Sequence, residues 1–177
     1  MSERDMAAAL QRVQAVLRQR PEAGLHDDEA AIACWQGGAQ VVTSHANGAR
    51  LATDLPGVLG GNGEGVTPGW LMRAALAACE STRIAMAAAT AGIELKTLEV
   101  RADSRSDLRG VFGMPGDDGQ PVAAGPLEVR LSVRIAAPGV PAWRVRALVE
   151  EGDRLSPMSC AVRRVVPVVL QIDVEDD

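Results

Sequence analysis

At 177 residues, 47% hydrophobic and 23% charged, the chain is long enough for one domain with a real core and has the make-up of an ordinary soluble globular protein. A net charge of −5, with scattered arginines and Lys96 as the sole lysine, argues against nucleic acid as a partner, because phosphate backbones are bound through concentrated positive charge. No run reaches the roughly 18 to 20 apolar residues of a membrane-spanning helix, so no membrane partner is expected. The mixed-charge start Met1–Asp5 lacks the order of a signal peptide, and three scattered cysteines do not read as an extracellular disulfide framework, so the expected location is cytoplasmic. Aromatics make up only 2%, which leaves the core to Ala, Val, Leu, Ile and Met. A core of such small side chains often leans on an oligomer interface.

Met6, Ala9, Leu10, Val13 and Leu17 fall on one stripe, which predicts a helix over Met6–Arg20 with Ser2 as N-cap and a stop at Pro21 and Gly24. Residues 1–24 thus read as a helical extension to a single domain over 25–177. Ala30–Trp35, Gln40–Ser44 and Arg50–Asp54 read as an antiparallel meander turning at Gly37-Gly38 and Asn47-Gly48. Cys34, beside Trp35 in the first strand, is expected in core packing. Leu55–Pro68 holds five glycines and two prolines and reads as a loop, a hinge at the mouth of a pocket. Thr67 as N-cap and Pro68 at the first helical position open a helix that runs to about Ala91 and closes at Gly92. It is apolar nearly all round, so most of its faces should be buried. Leu95–Ser104 and Leu127–Ile135 alternate as strands around a polar loop, Asp107–Gly125. Trp143–Arg154 predicts a helix with Trp143, Ala147 and Leu148 toward the core. Met158–Val165 adds a short helix, and Pro167–Val174 a final strand before an acidic tail.

Cys79 lies near the middle of the Ala-rich helix. A free thiol there is either a small buried hydrophobe or, with a cation or helix terminus to lower its pKa, a reactive thiolate. The ordered set Asn47-Gly48, Asp54-Leu55-Pro56, Gly60-Gly61, Thr67-Pro68 and Ala74-Ala75-Leu76-Ala77-Ala78-Cys79, followed by Ser156-Pro157-Met158-Ser159, resembles the OsmC/Ohr family (osmotically inducible protein C-like and organic hydroperoxide resistance proteins). The chain reads as a divergent member. The resemblance implies an α+β, OsmC-like fold: an antiparallel meander and a long buried central helix in an intertwined homodimer, with pockets at the subunit interface and no cofactor.

In the family's peroxidases the helix cysteine attacks an organic hydroperoxide, a second cysteine resolves the sulfenic acid, and a dithiol reduces the disulfide. By that resemblance Cys79 is the peroxidatic thiol. Ser156 replaces the resolving cysteine, with Cys160 as substitute or as a plain core residue. The family's glutamate and arginine are replaced by Gly69 and Ala39. Arg83, one turn from Cys79, could replace the missing cation, or else pair with Glu80 or sit at a dimer rim; Arg50 and Arg73 are further candidates. Metal binding by Cys34, Cys79, Cys160, His26 and His45 fails on spacing. The resulting expectation is a thiol-dependent peroxidase acting on organic hydroperoxides through Cys79. The alternatives are a degenerate OsmC-like dimer binding an apolar ligand and a redox sensor built on a Cys79–Cys160 disulfide.

Overall fold

The structure, a computed structural model, describes residues 3–164 and 166–174. Ser2, Val165 and the end of the acidic tail therefore lie outside the described residues. In chain order the elements are α1 (Glu3–Gln19), β1 (Ile32–Gly37), β2 (Gln40–Ser44), β3 (Arg50–Thr53), α2 (Pro68–Thr90), β4 (Thr97–Arg105), α3 (Leu108–Val111), β5 (Glu128–Ala136), α4 (Ala142–Arg154) and α5 (Pro157–Arg163). The α+β class expected from the sequence is thus what the chain adopts.

β1, β2 and β3 form an antiparallel three-stranded sheet, and β4 and β5 an antiparallel pair. The first hairpin turns through Gly37 and Gly38, both at positive φ, a conformation that glycine adopts without strain. α2 begins as the sequence predicts: the Thr67 hydroxyl accepts from the Trp70 N–H at 3.1 Å, and Pro68 opens the first turn. It ends in a left-handed cap at Gly92, with Gly92 N–H donating to Ala89 and Ile93 N–H to Ala88. Those two bonds satisfy carbonyls that would otherwise be orphaned at the helix end.

The core gathers where α2 meets α4 and β4: Leu76, Ile84, Ala87, Ala88, Ala89, Ile93 and Leu148 are buried. Small residues set how closely the helices approach. A methyl group on Gly152 of α4 would come within 2.6 Å of Ile84 Cγ1, so only a bare Cα allows this crossing. α1 lies against α2. The β1–β3 meander is different: it has no extensive contact with the helical body, and Trp35 is 71% exposed.

Four expectations are corrected. Cys34 is exposed, not packed in a core, because the sheet that carries it has no layer over it in this chain. Trp143 and Ala147 are exposed; α4 turns Leu148 and Gly152 inward, since only a glycine-wide contact fits against Ile84. Pro167–Val174 forms no strand: a strand needs a ladder partner, and its described residues bond to neither β4 nor β5. The Asp107–Gly125 segment is not wholly irregular, since it holds the one-turn helix α3, capped by the Asp107 carboxylate.

The accessible surface is 13325 Å² for an 18.5 kDa chain. A compact monomer of that mass exposes about 8,200 Å² by the usual size scaling. The excess comes from the uncovered meander and from apolar side chains such as Val168, Val169 and Leu170.

Candidate functional site

α2 carries two groups of interest on adjacent residues that point in different directions. The stripe Leu76, Glu80, Ile84, Ala87 and Ala88, at helical spacing, is the buried one. Cys79 lies beside that stripe, half-buried and free, as is Cys160. Arg83 follows Cys79 by one turn, so the two share a helix face. Its Nη1 donates to Met86 Sδ at 3.4 Å, while its Nε is buried with no acceptor. No carboxylate lies in ion-pair range of Arg83 among the described residues, so the expected alternative of a pair with Glu80 does not form.

Glu80 is instead turned inward and 1% exposed. Its Oε2 accepts from Ser159 Oγ at 3.3 Å, and its Oε1 is buried without a partner. Burial raises its pKa first of all, and the Asp153 carboxylate raises it further; the hydroxyls of Ser159 and Ser156 and the Arg163 cation pull it back only in part. Ser156 is wholly buried, and its hydroxyl caps α5 by accepting from the Ser159 N–H. The position that the family resemblance gives to a resolving thiol thus belongs to a helix cap beside a buried carboxylate. The sequence offers Glu80 only as a possible mate for Arg83. Its spacing of four from both Leu76 and Ile84 was the signal that it belongs to the buried stripe.

The remaining candidates are spread more widely. Cys160 directs its thiol to the Arg154 carbonyl at 3.5 Å. Gly69 is in the first turn of α2, and Arg73 Nη1 donates to Ser104 Oγ on β4 at 3.1 Å. Ala39 lines a small cleft with Asp54, Gly60 and Gly61, at the β1–β2 turn. The glycine-rich loop is tied down by Asp54, which is 2% exposed. Its Oδ1 accepts from the Leu55 N–H at 2.7 Å, and its Oδ2 from Asn62 at 3.0 Å and Glu64 at 3.3 Å. Burial pushes this carboxyl up, but the N–H donors of Leu55, Glu64, Asn62 and Gly63 outweigh it and hold the pKa below its ordinary value.

The sequence profile described as OsmC-like protein matches residues 61–171. The chain belongs to the OsmC-like family. Among solved structures it is similar to an OsmC-like protein from Mycoplasma pneumoniae, with a TM-score of 0.66 at 15% identity over 80% of this chain and 91% of that one. It is also similar to an organic hydroperoxide resistance protein OsmC from Legionella pneumophila (TM-score 0.56, 22% identity, 78% and 92% covered). A third is a putative organic hydroperoxide resistance protein from Vibrio cholerae with captopril bound in one of its active sites (TM-score 0.53, 26% identity, 78% and 88% covered). None of the curated proteins compared with the chain matches it. No helix among the described residues is long and apolar enough to cross a membrane.

Proposed function

We propose that the protein is a thiol-dependent reductase of organic hydroperoxides that works as a homodimer, with Cys79 as its peroxidatic thiol and Arg83 as the cation beside it. The observation that carries this reading is the Arg83 guanidinium: half-buried, one helical turn from a free thiol and, among the described residues, with no carboxylate to neutralise it and a buried N–H lacking an acceptor. Family membership and hydroperoxide-resistance neighbours support the same direction. The excess accessible surface and the bare meander support a second copy covering both. A cytoplasmic setting would supply the dithiol.

In the reaction the Cys79 thiolate attacks the O–O bond of R–O–O–H. An S–O bond forms, the O–O bond breaks, and the alkoxide leaves and takes a proton, giving the alcohol and a sulfenic acid. A second thiol then condenses with the sulfenic acid, releasing water and leaving a disulfide, which a dithiol reduces by exchange. With Ser156 in the resolving position, the second thiol is Cys160 or the external dithiol itself. The test is consumption of cumene hydroperoxide with dithiothreitol by the wild type, Cys79→Ser and Cys160→Ser. We expect Cys79→Ser to fall to the uncatalysed rate; a rate equal to wild type removes the thiol from the mechanism. A drop in Cys160→Ser assigns it the resolving step.

One observation favours a second reading. Ser156 is fully buried and committed to capping α5, so the thiol pair of the peroxidases is not reproduced at that position. A non-catalytic dimer that binds an apolar ligand would need no such pair. Rapid sulfenic-acid trapping at Cys79 under mild peroxide counts against it, and a Cys79–Cys160 disulfide without turnover marks the redox sensor.

A further inference from the structure

A cavity of about 540 Å³ opens between β5 and the α4–α5 corner, within the range of small-ligand sites. Its walls are apolar: Leu76, Leu127, Val129, Leu131, Val133 and Val149. Glu80 also lines it, and its Oε1 is the one carboxylate oxygen among the described residues that is both buried and without a hydrogen-bond partner. A buried acceptor left unmade costs of the order of 1–3 kcal/mol, so its presence calls for a donor.

The charges around the cavity decide what kind of donor. Arg163 of α5 is committed to Asp153 of α4 at 2.9 Å, and Glu128 of β5 to Arg130 at 3.0 Å. Ser159 and Ser156 already give their hydroxyls to the Glu80 side of the cavity floor. Glu80 and Glu150 form no direct ion pair among the described residues, Arg163 acting on Glu80 only from beyond contact while bonded to Asp153. The cavity therefore has an apolar wall and uncompensated negative charge, which suits neither an anion nor a neutral hydrocarbon. From this we propose that it binds an amphipathic organic cation, an alkylammonium-type ligand whose N–H₃⁺ donates to Glu80 Oε1 while its apolar body lies against the β5 valines and leucines. The site is separate from the Cys79 thiol, which does not line this cavity.

The dependence on pH follows from the same groups. Glu80 holds its proton more tightly than an ordinary carboxylic acid, through burial and the facing Asp153, with Arg163 opposing. Glu150 adds further negative charge at the rim, while Glu128 there is paired with Arg130. An ammonium ligand needs Glu80 ionised, so binding strengthens as pH rises through the Glu80 titration. It weakens again only where the amine itself loses its proton, at about pH 10.

The experiment is calorimetric titration of the full-length protein at pH 8 with hexylammonium chloride, 1-hexanol and hexanoate. Saturable hexylammonium binding, about tenfold or more tighter than either of the others, is expected from a charge-assisted bond. Glu80→Gln should erase that preference and leave hexanol binding unchanged, whereas Cys79→Ser should keep it, so the peroxidase reading and this one fail separately. Equal binding of all three, or no saturation, overturns the proposal from the wild type alone, whether or not the variant folds. Retention of the preference in a folded Glu80→Gln protein overturns it too.

Discussion

The β1–β3 meander and the α2 body are built from the same kind of alternating and striped sequence, yet they end with opposite burial. In the body, Ile84 is fully buried against Gly152 of α4. In the meander, Trp35, Val41 and Leu51 share one face of the sheet by register, and Trp35 is 71% exposed. A sheet whose first strand is exposed along its length gains little there from the hydrophobic effect, and isolated small sheets are marginal in water. The pattern that placed the strands is thus only half satisfied within one chain. The meander is the part of the molecule that most needs a second surface, and the body is the part that can stand without one.

The pair of truncations Ile84→Ala and Trp35→Ala breaks or sharpens that contrast most directly. Ile84→Ala should lose about 2–5 kcal/mol in urea unfolding, the cost of an emptied core position. If one chain is the whole unit, Trp35→Ala should change stability by no more than about 0.5 kcal/mol, as exposed substitutions do. We expect instead a loss of about 3–5 kcal/mol and a midpoint that depends on protein concentration, because a second copy would cover that face. An unchanged, concentration-independent midpoint for Trp35→Ala would break the comparison and, with it, the homodimer.

Gly152→Ala is expected to have a smaller effect, confined to the body. Alanine is the better helix former by up to about 1 kcal/mol, so propensity alone predicts a gain. The added methyl meets Ile84 Cγ1 at 2.6 Å, and overpacking of this kind costs about 1–3 kcal/mol. A lower denaturation midpoint means that the contact wins; a higher one means that α4 can shift away from α2.

Much of this architecture was legible in the chain because its signals were local. β2 spans Gln40–Ser44, the range its flanking turn residues mark out, and α2 starts at its cap residue Thr67 and proline. What escaped was set by tertiary packing. Trp143 reads as a core residue until the narrow Gly152–Ile84 crossing fixes which side of α4 turns inward. Residues 167–174 carry strand-like composition, but composition cannot supply a ladder partner. At the candidate site, Cys79 and Ser156 are singled out by the family resemblance, and Arg83 by its spacing of four from Cys79. A carboxylate in an Ala-rich helix looks like a solubilising break, yet the spacing of Glu80 from Leu76 and Ile84 turns it inward.

The joint between the two regions gives the subtlest test. Asp54 ends the meander, and its carboxylate gathers the Leu55, Asn62 and Glu64 amides, fixing the loop that leads into α2. Gly61 lies so close to the Leu55 carbonyl that a side chain would stand 1.9 Å from it, so the loop closes tightly around this carboxylate. The folded state lowers the Asp54 pKa from the ordinary 3.8, which means that it prefers the ionised form. The stabilisation is therefore fully present above the unfolded value and is lost as pH falls through the lower, folded one. Asp54→Asn removes the charge and turns an amide N–H₂ toward backbone donors, so it forfeits both the bonds and their pH dependence. The stability gap between wild type and Asp54→Asn, followed by urea unfolding, should be constant from neutral pH to about pH 5 and close below the ordinary carboxylate range. Amide exchange at Leu55, Asn62 and Glu64 should quicken in the variant while the α2 amides keep their protection. A gap that stays constant down to the acid limit would mean that the loop is held by its glycine packing alone, and that meander and body are joined by shape instead of by charge.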